Sequence, residues 1–232
     1  MKFKPFRIIL TMRTPVVITA VAPTLDGLLF EAMSQRFCDD TPAQVVERLK
    51  GVLAFHDGLQ VFHASSMKFG VTSQCGLSVW NYCRSDNVKN KLDSSMFMPH
   101  GRKGTYPPVL LVGGPTKTRL TKRLAYKSAF VCFDGLGDAK AVAALLEHTF
   151  VGVGYDAQNC GMGEFDHKQI EVITLEQDES LTSKGQAMRP LPAAAASGIE
   201  SELRLLPPYY LATERVHAVM PSRVQLLNID LV

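Results

Sequence analysis

The chain has 232 residues, 46% of them hydrophobic and 20% charged, with a formal net charge of +3. That length suits one large domain or two small ones with a real core, and the composition is that of an ordinary soluble globular protein. No run of 18 apolar residues occurs, so no transmembrane helix and no membrane partner is expected. Cys38, Cys75, Cys83, Cys132 and Cys160 have no CxxC spacing. They fit a reducing cytoplasm and give no support for a metal site, a cofactor or a disulfide framework.

The charge is polarised along the chain. Residues 84–127 hold ten Lys/Arg against only Asp86 and Asp93, whereas residues 128–232 hold seven against fourteen acids. A strongly basic segment in a nearly neutral protein is a candidate polyanion-binding surface.

Phe6 to Arg13 alternates apolar and basic or polar positions, which predicts a half-buried strand. Val16-Val17-Ile18 extends an edge after Pro15. Leu25 to Phe37 repeats at helical spacing, with Thr24 as N-cap and Asp26 in the first turn. Thr41-Pro42-Ala43-Gln44 is a capping box opening a second helix that Gly51 stops. Leu59 to Phe69 reads as a strand interrupted by Ser65-Ser66, and Cys75 to Tyr82 as another around Trp80. In the basic segment, Gly113-Gly114-Pro115 separates two strand-like runs, which suggests a projecting β-arm. Ala129 to Phe133 predicts a short buried strand, Asp138 to His148 a helix, and Phe165 to Leu175 a strand. Glu176 to Gln186 reads as a polar loop.

Between the last helix and strand lies FVGVGYDAQNCGMGEF, Phe150 to Phe165, with glycine pairs Gly152/Gly154 and Gly161/Gly163. A phosphate loop follows a strand and opens a helix. This one follows a helix and precedes a strand, and no Gly-Lys-Ser/Thr follows it, so a mononucleotide site is not expected.

The order of elements is βαββαβ, an α+β arrangement of the ferredoxin-like or RRM type, with the basic insertion between its second and third strands. The expected division is a domain of residues 1–83 and 128–178, an insertion of residues 84–127, and a C-terminal extension of residues 179–232. The RNP aromatic consensus of RRM proteins is absent.

A glycine-rich loop at this place in such a domain resembles the RAMP superfamily of CRISPR-associated proteins. Three further features are similar to the type IV effector subunit of the Cas family-five class. They are the lead-in Pro23-Thr24-Leu25-Asp26-Gly27-Leu28-Leu29, the basic insertion, and Pro207-Pro208-Tyr209-Tyr210. The resemblance implies a non-catalytic subunit that grips the 5′ handle of a crRNA in an antiviral ribonucleoprotein. The insertion would be a thumb hairpin at the guide–target duplex. The implied partners are the crRNA, the backbone and large subunits of an effector complex, and target DNA near the guide 5′ end.

Lys117, Arg119, Lys122 and Arg123 are the strongest candidates for RNA backbone binding, with Arg84, Arg102, Lys103 and Lys127 beside them. In the loop, Gly152, Gly154, Gly161 and Gly163 would offer backbone N–H groups, and Tyr155 or Gln158 would touch a base. No catalytic residue is expected on this reading. A metal-independent crRNA-processing endoribonuclease of the same superfamily is the alternative, with His100 as general base. A small-molecule enzyme on a ferredoxin-like fold is a third reading, and the charge map argues against it.

Overall fold

The structure is a computed structural model that describes residues 3–18, 21–70, 72–82, 118–149, 152–155, 161–209, 214–222 and 224–227. The chain divides into two compact units, Met1–Cys75 with Ala125–Val232, and Gly76–Leu124. It is mixed α+β, with a main mixed sheet and three described helices.

In the first unit, strand β1 (Lys4–Met12) is followed by β2 (Val16–Val17) and helices α1 (Leu25–Arg36) and α2 (Pro42–Lys50). Both helix starts follow the sequence signals. Thr24 Oγ1 accepts from Gly27 N, and Thr41 and Gln44 form the reciprocal capping box. Short strands β3 (Phe55–His56), β4 (Val61–Phe62) and β5 (Lys68–Phe69) come next.

The expected strand from Leu59 to Phe69 is therefore broken into pieces. Gln60 takes a φ of 54°, and the two serines bond sideways rather than along one ladder. Ser65 N donates to Asp134 O at 2.8 Å, and Ser66 N to Met188 O at 2.7 Å.

The second unit contains parts of two 11-residue strands, β6 (Thr72–Tyr82) and β7 (Thr118–Ser128), whose other ends lie in the first. There, Val16 and Val17 pair antiparallel with Tyr126 and Ala125. The stretch between the two strands, including the Gly113-Gly114-Pro115 turn, lies outside the described residues.

Strand β8 (Phe130–Gly137) runs four residues past the expected end, because Asp134 to Gly137 pair with Arg7 to Lys4. Helix α3 (Ala139–Glu147), N-capped by Asp138, leads to the glycine loop and β9 (Phe165–Thr174). The expected polar loop after β9 contains half of a small hairpin, β10 (Thr182–Ser183) with β11 (Gln186–Ala187). Lys184 and Gly185, both at positive φ, make its two-residue turn. The C-terminal segment adds β12 (Leu191–Pro192), β13 (Ile199–Leu203), β14 (Val216–Met220) and β15 (Gln225–Leu226).

The main sheet has the order β15-β5-β8-β1-β9. The pairings of β1 with β8, β1 with β9 and β5 with β8 are antiparallel, and only β15 runs parallel to its neighbour. Phe6, Ile8 and Leu10 on β1 meet Leu25, Leu29, Val142 and Leu146 of the helices in one core. Alternation sends Arg7 to the other face, opposite Asp134. There Asp134 accepts from Arg7 Nε at 2.6 Å and Lys68 Nζ at 2.5 Å. Burial, helped by Asp134, pushes the neighbouring Cys132 thiol up to about 12.

The segment after residue 178 is part of the first unit. Its three-stranded sheet, β12-β14-β13, shares a small core of Val61, Ala187, Leu191 and Val219 with β4.

Candidate nucleic-acid interface

Three described features bear on ligand binding: the glycine loop, a cleft beside it, and the basic strand β7. In the loop, Gly154 (φ 99°), Gly161 (φ 63°) and Gly163 (φ 68°) use the left-handed freedom that glycine alone has at little cost. They do so for different reasons. A Cβ on Gly163 would lie 1.8 Å from Val153 O, and one on Gly154 2.5 Å from Val17 O. Gly161 faces open space.

Several N–H groups of the loop are taken up within the protein, among them that of Gly163, one of the four glycines expected to cradle phosphate. Val153 N donates to Gly163 O at 2.9 Å, Tyr155 N to Val17 O at 2.8 Å, and Gly163 N to Pro15 O at 2.8 Å. Glu164 N donates to Thr14 Oγ1 at 2.8 Å. These bonds pin the loop to the turn after β1. The acidic residues near its end have a partner there too. Arg13 reaches Asp166 at 2.9 Å and Glu164 at 3.6 Å, and its hydrogen bond holds Asp166 below the usual carboxylate range.

The pinned loop forms one wall of a cleft of about 400 Å³, with Gly154 and Tyr155 on its rim. Val17, Ile18, Ala22 and Thr24 come from the lead-in to α1, and Pro190, Leu203, Arg204 and Tyr209 from the C-terminal segment. Tyr155 is 49% exposed, so a large aromatic ring stands at an apolar hollow. Arg204 has a mostly covered side chain and reaches Glu214 at 3.1 Å. The lining thus offers an exposed ring and apolar walls, the ingredients for holding a planar ligand.

Tyr209 in the cleft lining also joins a largely buried polar cluster that sequence reading missed. Arg189 is completely buried. Its Nη1 donates to Phe62 O at 2.6 Å, and its Nη2 donates to Asp26 Oδ2 at 3.2 Å, Leu205 O at 2.9 Å and Tyr209 Oη at 2.8 Å. Tyr209 Oη in turn donates to Asp26 Oδ2 at 2.6 Å. Burial pulls the guanidinium's pKa down, and Asp26 beside it more than offsets this, leaving the pKa above its ordinary value. Burial also pushes the Tyr209 phenol up. The Tyr209 ring lies against Gly27, where a Cβ would meet it at 3.1 Å.

Two stretches that look like recognition motifs, around Asp26-Gly27 and around Tyr209, are therefore tied to each other. Arg189 sits in Arg189-Pro190-Leu191-Pro192, and nothing in that local pattern announces a buried cation. Only the acid at Asp26, in the first turn of an apolar helix, hints that a counter-charge is needed.

Of the sequence-predicted basic residues, Arg119, Lys122, Arg123 and Lys127 share strand β7, and Lys127 is exposed. Arg84, Arg102, Lys103 and Lys117 lie outside the described residues, as do Gln158 and His100. Described histidines have partners within the protein. His63 Nδ1 meets Asp178 Oδ2 at 2.6 Å with the His56 ring stacked on it, and His167 Nδ1 meets Leu146 O at 2.9 Å. Desolvation pushes the Asp178 carboxyl up, but hydrogen bonds from His63 and Ser180 outweigh it and hold the group low. Among the described residues no three His, Cys, Asp or Glu side chains converge on a metal position, and no helix is long and apolar enough to cross a membrane.

Neither a scan against protein-family models nor a search of curated proteins gives a match for this chain.

Proposed function

We propose that the chain is a non-catalytic RNA-binding subunit of the kind its sequence resembles, a type IV CRISPR effector subunit that grips the 5′ handle of a crRNA. The observation that carries this reading is the cleft. Its walls come from the glycine loop, the α1 lead-in and the segment around Tyr209, the same stretches on which the resemblance rests.

The sheet supports a ferredoxin-like core. Taken as the set β1-α1-β5-β8-α3-β9, the strands lie in the order fourth, first, third, second, all antiparallel, with both helices in the core on one face. The basic insertion, part of it on β7, would track the phosphate backbone, while Tyr155 stacks a base at the cleft mouth. The partners would be the crRNA, the backbone and large subunits, and target DNA near the guide's 5′ end.

The test is RNA binding by the purified chain against salt concentration, using repeat-derived RNA. Neutralising Lys117, Arg119, Lys122 and Arg123 together should weaken binding strongly and flatten the log–log salt slope, by about 0.7 for each phosphate no longer paired with a cation. Tyr155→Ala should weaken binding by about 1–3 kcal/mol with the salt slope unchanged, as loss of one stacked base would. Unchanged affinity in both variants would sink the proposal. Specific cleavage of repeat RNA in EDTA, abolished in His100→Ala, would replace it with the nuclease reading.

A further inference from the structure

The tripeptide Asp-Gly-Leu occurs three times in the chain, at residues 26–28, 57–59 and 134–136. Aspartate followed by glycine is prone to rearrange its own backbone. The glycine has no Cβ to shield its nitrogen, which attacks the aspartate's carboxyl group and closes a five-membered succinimide ring. The fold treats the three copies differently.

Two are sealed. Asp26 is fully buried, with Oδ2 held by Arg189 and Tyr209, and Gly27 N donates to Thr24 Oγ1 in the first turn of α1. Asp134 is fully buried and bonded to Arg7 and Lys68. Gly135 beside it lies in the β1–β8 ladder, where a Cβ would fall 2.8 Å from the Phe6 ring. A close-packed interior leaves no room for a ring to close or for water to leave and re-enter.

Asp57-Gly58 is open. The pair forms half of the loop 57–60 that joins β3 to β4, and both residues are exposed. Among the described residues, neither the Asp57 carboxylate nor Gly58 N has a hydrogen-bond partner. The loop's bonds pass around them. Leu59 N and Gln60 N donate to His56 O at 3.2 and 2.8 Å, and Gln60 Nε2 donates to Asp57 O at 2.6 Å. The attacking nitrogen and the carboxyl carbon are therefore adjacent, solvated and uncommitted.

We propose that Asp57-Gly58 is a site of spontaneous covalent modification, rearranging from aspartyl to isoaspartyl while the other two pairs stay intact. Gly58 N bonds to Asp57 Cγ, and its proton departs with the hydroxyl of the protonated carboxyl group as water. A second water then opens the imide at the carbonyl of the original peptide bond. The chain now runs through Cβ and Cγ, and the freed α-carboxylate hangs as the side group. One water leaves and one enters, so the mass is unchanged and no oxidant or cofactor takes part. The product adds one carbon to the backbone of a loop whose length fixes the pairing of His56 with Val61 and Phe55 with Phe62. It is also the substrate class of methyltransferases that esterify isoaspartyl carboxylates.

The test is peptide mapping of full-length protein aged for weeks at neutral pH, with fragmentation that tells isoaspartate from aspartate. Each Asp-Gly pair falls in its own tryptic peptide, 14–36, 51–68 or 128–140. In folded protein isoaspartate should accumulate in 51–68 alone, and in urea-unfolded protein in all three. Asp57→Glu, which would need a six-membered ring, should abolish the signal at 51–68. Gly58→Ala should lower it severalfold in a folded chain, because the new Cβ meets only the His56 ring, at an ordinary 3.4 Å. Folded protein without isoaspartate at residue 57 overturns the proposal. So does equal accumulation in 14–36 or 128–140 of the folded protein, or a signal in 51–68 that survives Asp57→Glu.

Discussion

Two arginine–carboxylate clusters, both within the first unit, set the same chemistry in opposite surroundings. Arg189 and Asp26 have no accessible side-chain surface, and four backbone carbonyls and Tyr209 surround the guanidinium. Arg13, with Glu164 and Asp166, is 54% exposed and holds the end of the glycine loop from outside. Buried charges demand partners, because removing one leaves the other desolvated and uncompensated. Exposed pairs gain little, since water and salt already serve each ion. The difference separates residues that build the cleft from residues that decorate it.

The largest effect should come from Arg189→Ala, which strands Asp26, whose Oδ1 already has no partner among the described residues. Urea unfolding should register a loss of about 3–5 kcal/mol, and an unchanged midpoint would show that the cluster is not structural. Gly163→Ala combines a positive φ with a Cβ 1.8 Å from Val153 O. It should cost at least about 2 kcal/mol through strain and overpacking. Gly161→Ala, in open space, should cost about 1 kcal/mol. Equal losses at the two glycines would break the distinction between a closing and a facing position. Tyr209→Phe keeps the ring on Gly27 and deletes the donor to Asp26 Oδ2, for an expected loss of about 1–3 kcal/mol.

A pH experiment extends the comparison to the half-buried His63–Asp178 pair. The folded state holds the Asp178 carboxyl low, so its contribution is present above the unfolded value, about 3.9, and disappears as pH falls through the lower folded value. Asp178→Asn should lose stability at neutral pH and flatten the acid limb, measured as urea midpoint against pH. The smallest effect belongs to Arg13→Ala, for which the unfolding midpoint should not move measurably. A large shift there would mean that the loop depends on its external tie.

How much of this is legible in the sequence follows from the range of the forces. Caps and helical spacing are local, and Thr24, Thr41 and Asp138 behave as their side chains predict. The strand expected from Leu59 to Phe69 breaks because its serines bond to Asp134 and Met188, neither of which periodicity reveals. Asp26 reads as a residue favourable to the helix dipole, and its true partner stands far along the chain. The glycine loop is recognisable by composition, but the inward hydrogen bond of Gly163 N, one of the N–H groups expected to meet phosphate, is not. The cleft itself has no sequence signature, since three distant stretches line it.

The bond between Arg189 and Asp26 spans 163 residues. During synthesis at about 5–20 residues per second, α1 would wait about 8–30 s for its counter-charge. Through that interval the nascent chain carries an apolar helix with an unneutralised acid that must end up fully enclosed. The main sheet waits longer, because β15 follows Arg189 in the chain. Chains arrested before residue 189 should therefore linger as chaperone clients, and release from them should coincide with emergence of the C-terminal segment from the ribosome.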